Sequence, residues 1–276
     1  MTRADPRFGK PHYLRAFLGI SRREVLRFLQ QRERFFAALV RPLMWLFIFA
    51  AGFRAVLGVA IIPPYETYIT YEVYLAPGLV AMIQLFNGMQ SSLSLIYDRE
   101  MGSMRILLTS PLPRWFLLLS KLVAGAVVSI LQVAIFLLIA YAFGIEMLSW
   151  GYVLVVPVLV LTGIMLGALG MVLASWIKQL ENFAGIMNFV IFPMFFLSSA
   201  LYPLWKIGES SPFLEDLCLA NPFTYAVEAI RFALYGDLNG QALLVVAGAT
   251  VVFLFLALRG YRPERAFRAS GKGGPK

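Results

Sequence analysis

A chain of 276 residues that is 60% hydrophobic and only 14% charged, with a mean hydropathy of +0.76, cannot be an ordinary water-soluble domain, in which roughly half the residues are apolar and about 25% charged. Its net charge of +9 needs no nucleic acid, because topogenic lysines and arginines and attraction to anionic head groups account for it. One histidine and one cysteine complete neither a zinc-type site nor an intrachain disulfide, so no metal centre and no catalytic residue is expected.

In chain order, residues 1–38 are expected to be a cytoplasmic N-terminus, whose first 34 residues show neither the apolar core nor the cleavage site of a signal peptide. Within it Leu14, Phe17, Leu18, Val25, Phe28, Leu29 and Phe36 recur at helical spacing, and Arg15, Arg22, Arg23, Arg27 and Arg34 occupy the other side. This predicts an amphipathic helix in the inner interface, serving as an anchor or also as a contact for a cytoplasmic partner. His12 precedes it as solvent-exposed punctuation.

Six apolar runs follow, at about Leu39 to Leu57, Tyr74 to Ile96, Trp115 to Phe143, Tyr152 to Trp176, Phe183 to Leu201 and Ala242 to Leu258. Each approaches the ~20 residues needed to cross the hydrocarbon layer, and long unbroken runs choose helices over a barrel. The predicted fold is an all-α integral membrane protein, with a six-helix transmembrane domain over 39–258 and a basic cytoplasmic tail over 259–276. With the N-terminus inside, every lysine and arginine except Arg54, Lys206 and Arg231 falls on the inner side, Arg41 at the head of the first span included. The stretch 223–235, FTYAVEAIRFALY, is too short to cross and would throw the basic tail outside if it did. It reads as a short re-entrant or interfacial outer-face helix between the fifth and sixth spans, within an outer segment 202–240.

The inner loop 97–115, YDREMGSMRILLTSPLPRW, places an apolar patch between charges and two prolines. Such a patch on a short cytoplasmic helix invites a docked partner. In the second span Gln84, Asn87, Gln90, Ser91 and Ser94 make a polar stripe flanked by Met82 and Phe86, and the fifth span offers Asn188, Phe189, Phe192, Met194, Phe195 and Phe196. The stripe serves either a polar path or helix–helix hydrogen bonding. Phenylalanine and methionine suit a hydrophobic or amphipathic cargo better than an ion. Gly163, Gly167, Gly170 and Ala174 form a small-residue ridge that lets helices approach. Glu228 and Arg231, three apart, can pair with each other. Cys218 reads as an inert thiol, a disulfide across two chains being the alternative, and Glu215–Asp216 as solvated residues.

Some chemistry is missing. No Gly-Lys pair is followed by the Ser or Thr of a phosphate-binding loop, so energy from ATP would have to come through a partner. The cores of the spans carry no ionisable residue and no inverted repeat is evident, which argues against an ion-driven carrier.

The loop YDREMGSMRILLTSPLPRW resembles the inner-loop motif of the type-2 ABC transporter permease family, an R-E-x-G-[ST] turn followed by a leucine pair and Ser-Pro. LYPLW at 201–205 with NPFTYAVEAIR at 221–231 is similar to that family's outer segment, and RPLMW at 41–45 also fits, so the resemblance covers about residues 15 to 258. It implies six spans per subunit, a pore of two permease chains forming a homodimer or heterodimer, and two copies of a separate cytoplasmic ATPase. ATP and Mg would sit on that ATPase, with no cofactor in this chain and no ATPase site of its own. Arg99, Glu100, Gly102, Ser103, Arg105, Leu107, Leu108, Ser110 and Pro111 would couple to the ATPase. Met82, Phe86, Asn87, Gln90, Asn188, Phe189, Phe192 and Phe196 would line the translocation path, and Tyr202, Asn221, Pro222, Glu228 and Arg231 would form the outer gate. The implied function is ABC-type export, from a bacterial plasma (inner) membrane, of a drug-like molecule, lipid or lipo-/polysaccharide. The alternative is an integral membrane enzyme or assembly factor acting on lipids at the outer face.

Overall fold

The computed structural model describes residues 10–30, 39–48, 69–100, 113–177 and 180–260. Among these residues there are ten helices and no strand: α1 Lys10–Gln30, α2 Leu39–Ile48, α3 Tyr71–Glu100, α4 Arg114–Ala142, α5 Gly151–Trp176, α6 Leu180–Phe196, α7 Leu204–Ser210, α8 Pro212–Ala220, α9 Pro222–Leu234 and α10 Gly240–Gly260. The spans expected from hydropathy at 115–143, 152–176 and 242–258 correspond to α4, α5 and α10 within two residues, and these three are long and apolar enough to cross a membrane. α3 is longer than expected, 30 residues against the run from Tyr74 to Ile96, because its polar ends Tyr71–Val73 and Tyr97–Glu100 continue the helix where hydropathy falls. α6 stops at Phe196, and residues 197–201, Leu-Ser-Ser-Ala-Leu at the end of the expected run, form a turn instead. Of the first apolar run, 49–57 lie outside the described residues.

Prolines and glycines set the ends. Pro113, Pro203 and Pro212 stand at the starts of α4, α7 and α8, where a missing N–H costs nothing. Gly144 (φ +82°) and Gly236 (φ +79°) lie just past α4 and α9 in the left-handed region that a side chain disfavours.

α5 is the central element, packed against α3, α4, α9 and α10. Its small-residue ridge explains the closeness. A Cβ added to Gly170 would stand 2.7 Å from the Gly88 carbonyl oxygen and 3.1 Å from Met89 Cα, and one added to Gly88 would stand 2.7 Å from Leu166 C. α3 and α5 therefore touch backbone to backbone, the arrangement small residues permit where lipid supplies no hydrophobic drive between helices. The outward sides of α4, α6 and α10 carry bare apolar groups, among them Leu138, Phe189, Leu244 and Val251, which is stable only against lipid or another apolar surface. α1 lies against the start of α4, where Tyr13 meets Phe116 edge-on at 5.2 Å. Leu14 and Leu18 of its apolar stripe remain exposed.

Candidate functional site

Two places gather the polar and aromatic side chains: the turn after α6, and the open face between α2, α3 and α6. The turn begins with a general problem, since the last carbonyls of any helix lack intrahelical partners. Here side chains from α3 and α9 supply the donors. Asn221 Nδ2 donates to Met194 O at 2.8 Å and Leu197 O at 2.6 Å, and its Oδ1 accepts from Phe223 N at 3.0 Å, capping α9 ahead of Pro222. Tyr74 Oη donates to Ser199 O and Tyr71 Oη to Leu201 O, each at 2.9 Å. Arg231 Nη2 donates to Ser199 O at 2.7 Å, and its Nη1 pairs with the Glu228 carboxylate. The Arg231 guanidinium also lies 4.1 Å from the Tyr74 ring centroid.

Arg231 is only 2% exposed. A buried cation is tolerable when a counter-charge, hydrogen bonds and an aromatic face replace its water, and all three are present. The pair with Glu228 expected from the i,i+3 spacing is formed, but the helix carrying it is enclosed by α3, α5 and α10, with Phe223, Ala226, Val227 and Ile230 fully buried. Tyr202, next in the turn, is partly buried, and that burial raises its phenol above the usual tyrosine range. Asn221, Pro222, Glu228 and Arg231 are thus brought to one locus, together with Tyr71, Tyr74 and Ser199, which no sequence motif singled out.

Asn221→Ala is expected to lose about 2–3 kcal/mol, from two carbonyls stripped of their donor and a lost cap. Asn221→Asp should do no better, since it keeps the cap while setting a carboxylate against two carbonyl oxygens. Thermal unfolding in mild detergent checks both variants, and an aspartate variant at the wild-type midpoint would remove the donor role.

Along α3 the polar stripe divides. Gln84 Nε2 donates to Leu159 O of α5 at 3.1 Å, and Asn87 Nδ2 donates to Ser129 Oγ at 3.2 Å and to Gln132 Oε1, both on α4. Met82 is buried against the core. Gln90, Asn188, Phe189, Phe192 and Phe196 lie on the open side, with Phe86 between the two groups. Phe86 meets Phe192 edge-on at 6.4 Å, Phe192 stacks on Phe196 at 6.3 Å, and Trp45 of α2 reaches Phe195 and Phe196, each at 5.9 Å. Over this aromatic face stands a cation: Arg41 Cζ is 4.0 Å from the Phe86 ring centroid. Counted by sequence with the inner-loop charges, Arg41 reaches a point midway along α3.

Of the coupling residues, Arg99 and Glu100 fall in the last turn of α3 with side chains outside what the structure describes, as are Gly102, Ser103, Arg105, Leu107, Leu108, Ser110 and Pro111 altogether. Among the described residues no group of three His, Cys, Asp or Glu side chains could hold a metal ion. Cys218 is 1% exposed, and burial, then the neighbouring Glu215, raise its thiol above the ordinary range. Maleimide labelling of the folded chain should be slow at neutral pH and rise with pH beyond the range of a free cysteine. Rapid labelling at pH 7, followed by mass spectrometry, would contradict that burial.

The long apolar helices, the bare apolar exterior and the cation held by aromatic and carbonyl groups define an integral membrane protein. The sequence profile described as "ABC-2 type transporter" matches residues 15–235, and the chain belongs to that family. It is similar to transport permease ycf38 of Porphyra purpurea, 29% identical over 71% of this chain and 66% of that protein. The ycf38 of Cyanophora paradoxa is 28% identical over 74% and 70%. The multidrug ABC transporter permease YbhR of Escherichia coli K12 is 30% identical over 60% of this chain and 45% of its own length.

Proposed function

We propose that this chain is the membrane permease of an ATP-driven exporter in a bacterial plasma membrane. It would have six spans with both termini cytoplasmic, α9 as a re-entrant helix on the outer side, and a second permease chain completing the pore. Two copies of a separate ATPase would supply the energy, with ATP and Mg bound there. The observation that carries this reading is the family match over most of the chain, supported by the sequence YDREMGSMRILLTSPLPRW, whose first four residues end α3. In the proposed cycle, closure of the ATPase pushes residues 99–111 and α1. That force rocks the walls formed by α3 and α6, and the cluster around Arg231 and Asn221 holds the outer turn as they move. The open face of Phe86, Phe189, Phe192 and Phe196 with Gln90 and Asn188 suits a hydrophobic or amphipathic cargo, because aromatic side chains give large contact area at low entropic cost.

Affinity capture from mild detergent should recover a nucleotide-hydrolysing protein at about one copy per chain. Glu100→Ala with Arg105→Ala should abolish both its recovery and the eluate's ATPase activity while leaving the permease monodisperse. A wild-type chain that purifies alone under these conditions would overturn the reading.

A further inference from the structure

The Arg41 guanidinium is the feature that the proposed function leaves unused. α3 has 30 residues, about 45 Å at 1.5 Å per residue, and exceeds the ~30 Å hydrocarbon layer. Phe86 is the sixteenth of them, so the guanidinium over its ring lies at the middle of that helix, with Arg41 itself exposed. In a membrane protein, a cation set among aromatic rings rather than at a helix end calls for a counter-charge. Among the described side chains no carboxylate pairs with it. Phe86 meets Phe192, which stacks on Phe196, and Trp45 reaches Phe196, while Gln90 and Asn188, on the same two helices α3 and α6, are exposed.

Resting on the permease reading, we propose that Arg41 selects the cargo: an amphipath whose oxyanion head, carboxylate or phosphate, is taken by the guanidinium while its apolar tail lies along Phe192, Phe196 and Trp45. The guanidinium fork matches either oxyanion with two parallel hydrogen bonds. Its seat on Phe86 leaves those donors available, because a ring face attracts the cation without using up its N–H groups. An uncharged amphipath would leave the cation unneutralised on the aromatic face, and a cationic one would be repelled. Charge complementarity therefore ranks cargoes that the aromatic surface alone would accept equally.

Trp45 reports on the site directly. Trp115, Trp150, Trp176 and Trp205 are all exposed, so their replacement by phenylalanine leaves a single fluorophore beside Phe196. Quenching is then compared in nanodiscs between a brominated fatty carboxylate and a brominated alkyl trimethylammonium of the same chain length. The carboxylate should reach half-quenching at about ten-fold lower content. Arg41→Gln should erase the difference, and Arg41→Lys, which keeps the charge but loses the fork, should narrow it. The other cations remain in both variants, so general attraction to a basic protein is controlled. Discs of brominated phosphatidylglycerol against brominated phosphatidylcholine separate a resident lipid from a soluble amphipath, since only the first gives the head-group preference without any added ligand.

Equal quenching by the two heads in the parent chain, or a preference surviving Arg41→Gln, would overturn the proposal. Should Arg41→Gln fail to give a monodisperse protein, an unchanged preference in Arg41→Lys together with Phe86→Leu would overturn it equally. ATPase capture is scored on the same preparations. A chain that retains its ATPase but shows no head preference removes this inference and leaves the permease reading standing.

Discussion

Arg231→Met is expected to destabilise the folded chain by about 3–5 kcal/mol, the cost of removing one partner from a buried pair. Methionine approximates the volume of the arginine stem, so packing against Tyr74 is largely kept and the loss is electrostatic. It leaves the Glu228 carboxylate, whose side chain is 20% exposed, without its cation, and Ser199 O with Tyr74 as its remaining side-chain donor. Glu228→Gln added to Arg231→Met should recover part of the loss, because the uncompensated charge is then gone. Arg231→Lys should not rescue fully, since one ammonium cannot lie over the Tyr74 ring while reaching both Glu228 and Ser199. Guanidinium-free thermal unfolding of the four proteins in one detergent decides it. A single mutant melting at the parent temperature would show that the cluster contributes nothing to the turn after α6.

The second large effect belongs to the contact between α3 and α5. Gly170→Val should cost about 3 kcal/mol, the upper end of ordinary overpacking, because the atoms a new Cβ meets, Gly88 O and Met89 Cα, are backbone and cannot rotate away. The Ser92 hydroxyl, 3.0 Å from the same point, closes the remaining direction. Gly248→Ala in α10 provides the contrast: nothing lies within 4 Å of its Cβ position. Alanine there should be neutral or stabilise by up to about 1 kcal/mol through helix propensity. If both variants fold and melt alike, the close approach of the two helices is not what holds them.

The helices were legible because lipid-facing runs leave an unbroken signal, and α4, α5 and α10 follow their hydropathy to within two residues. Where polar residues enter, the signal thins. Residues 71–73 and 97–100 belong to α3 despite Glu72 and the charges at 98–100, since a helix can run past the hydrocarbon boundary into the interface. Residues 197–201 look like more helix in sequence and are a turn, whose carbonyls Asn221, Arg231, Tyr71 and Tyr74 satisfy from 20 residues or more away. Local spacing revealed the Glu228–Arg231 pair but not Tyr74 or Ser199, which only the packed fold brings to it. Asn87 and Gln84 illustrate the same limit. Their spacing announced a polar face, yet whether that face meets solvent or Ser129, Gln132 and the Leu159 carbonyl depends on which helices lie alongside. Charge counting places Arg41 along the chain but carries no information on the Phe86 ring that its guanidinium meets.

The turn after α6 also has a mechanical meaning. Four side chains hold its carbonyls at one end, whereas along its length α6 packs mainly on α3 and leaves Ile186, Phe189, Phe192 and Phe196 uncovered. A rod fastened at its tip and only leaned upon elsewhere moves as a lever about the fastened point, so a push near residue 180 shifts Phe189 more than Phe192, and leaves Phe196 and Asn221 nearly in place. Conversely, a ligand wedged against that face would be felt most strongly at the far end, some 16 residues down the helix.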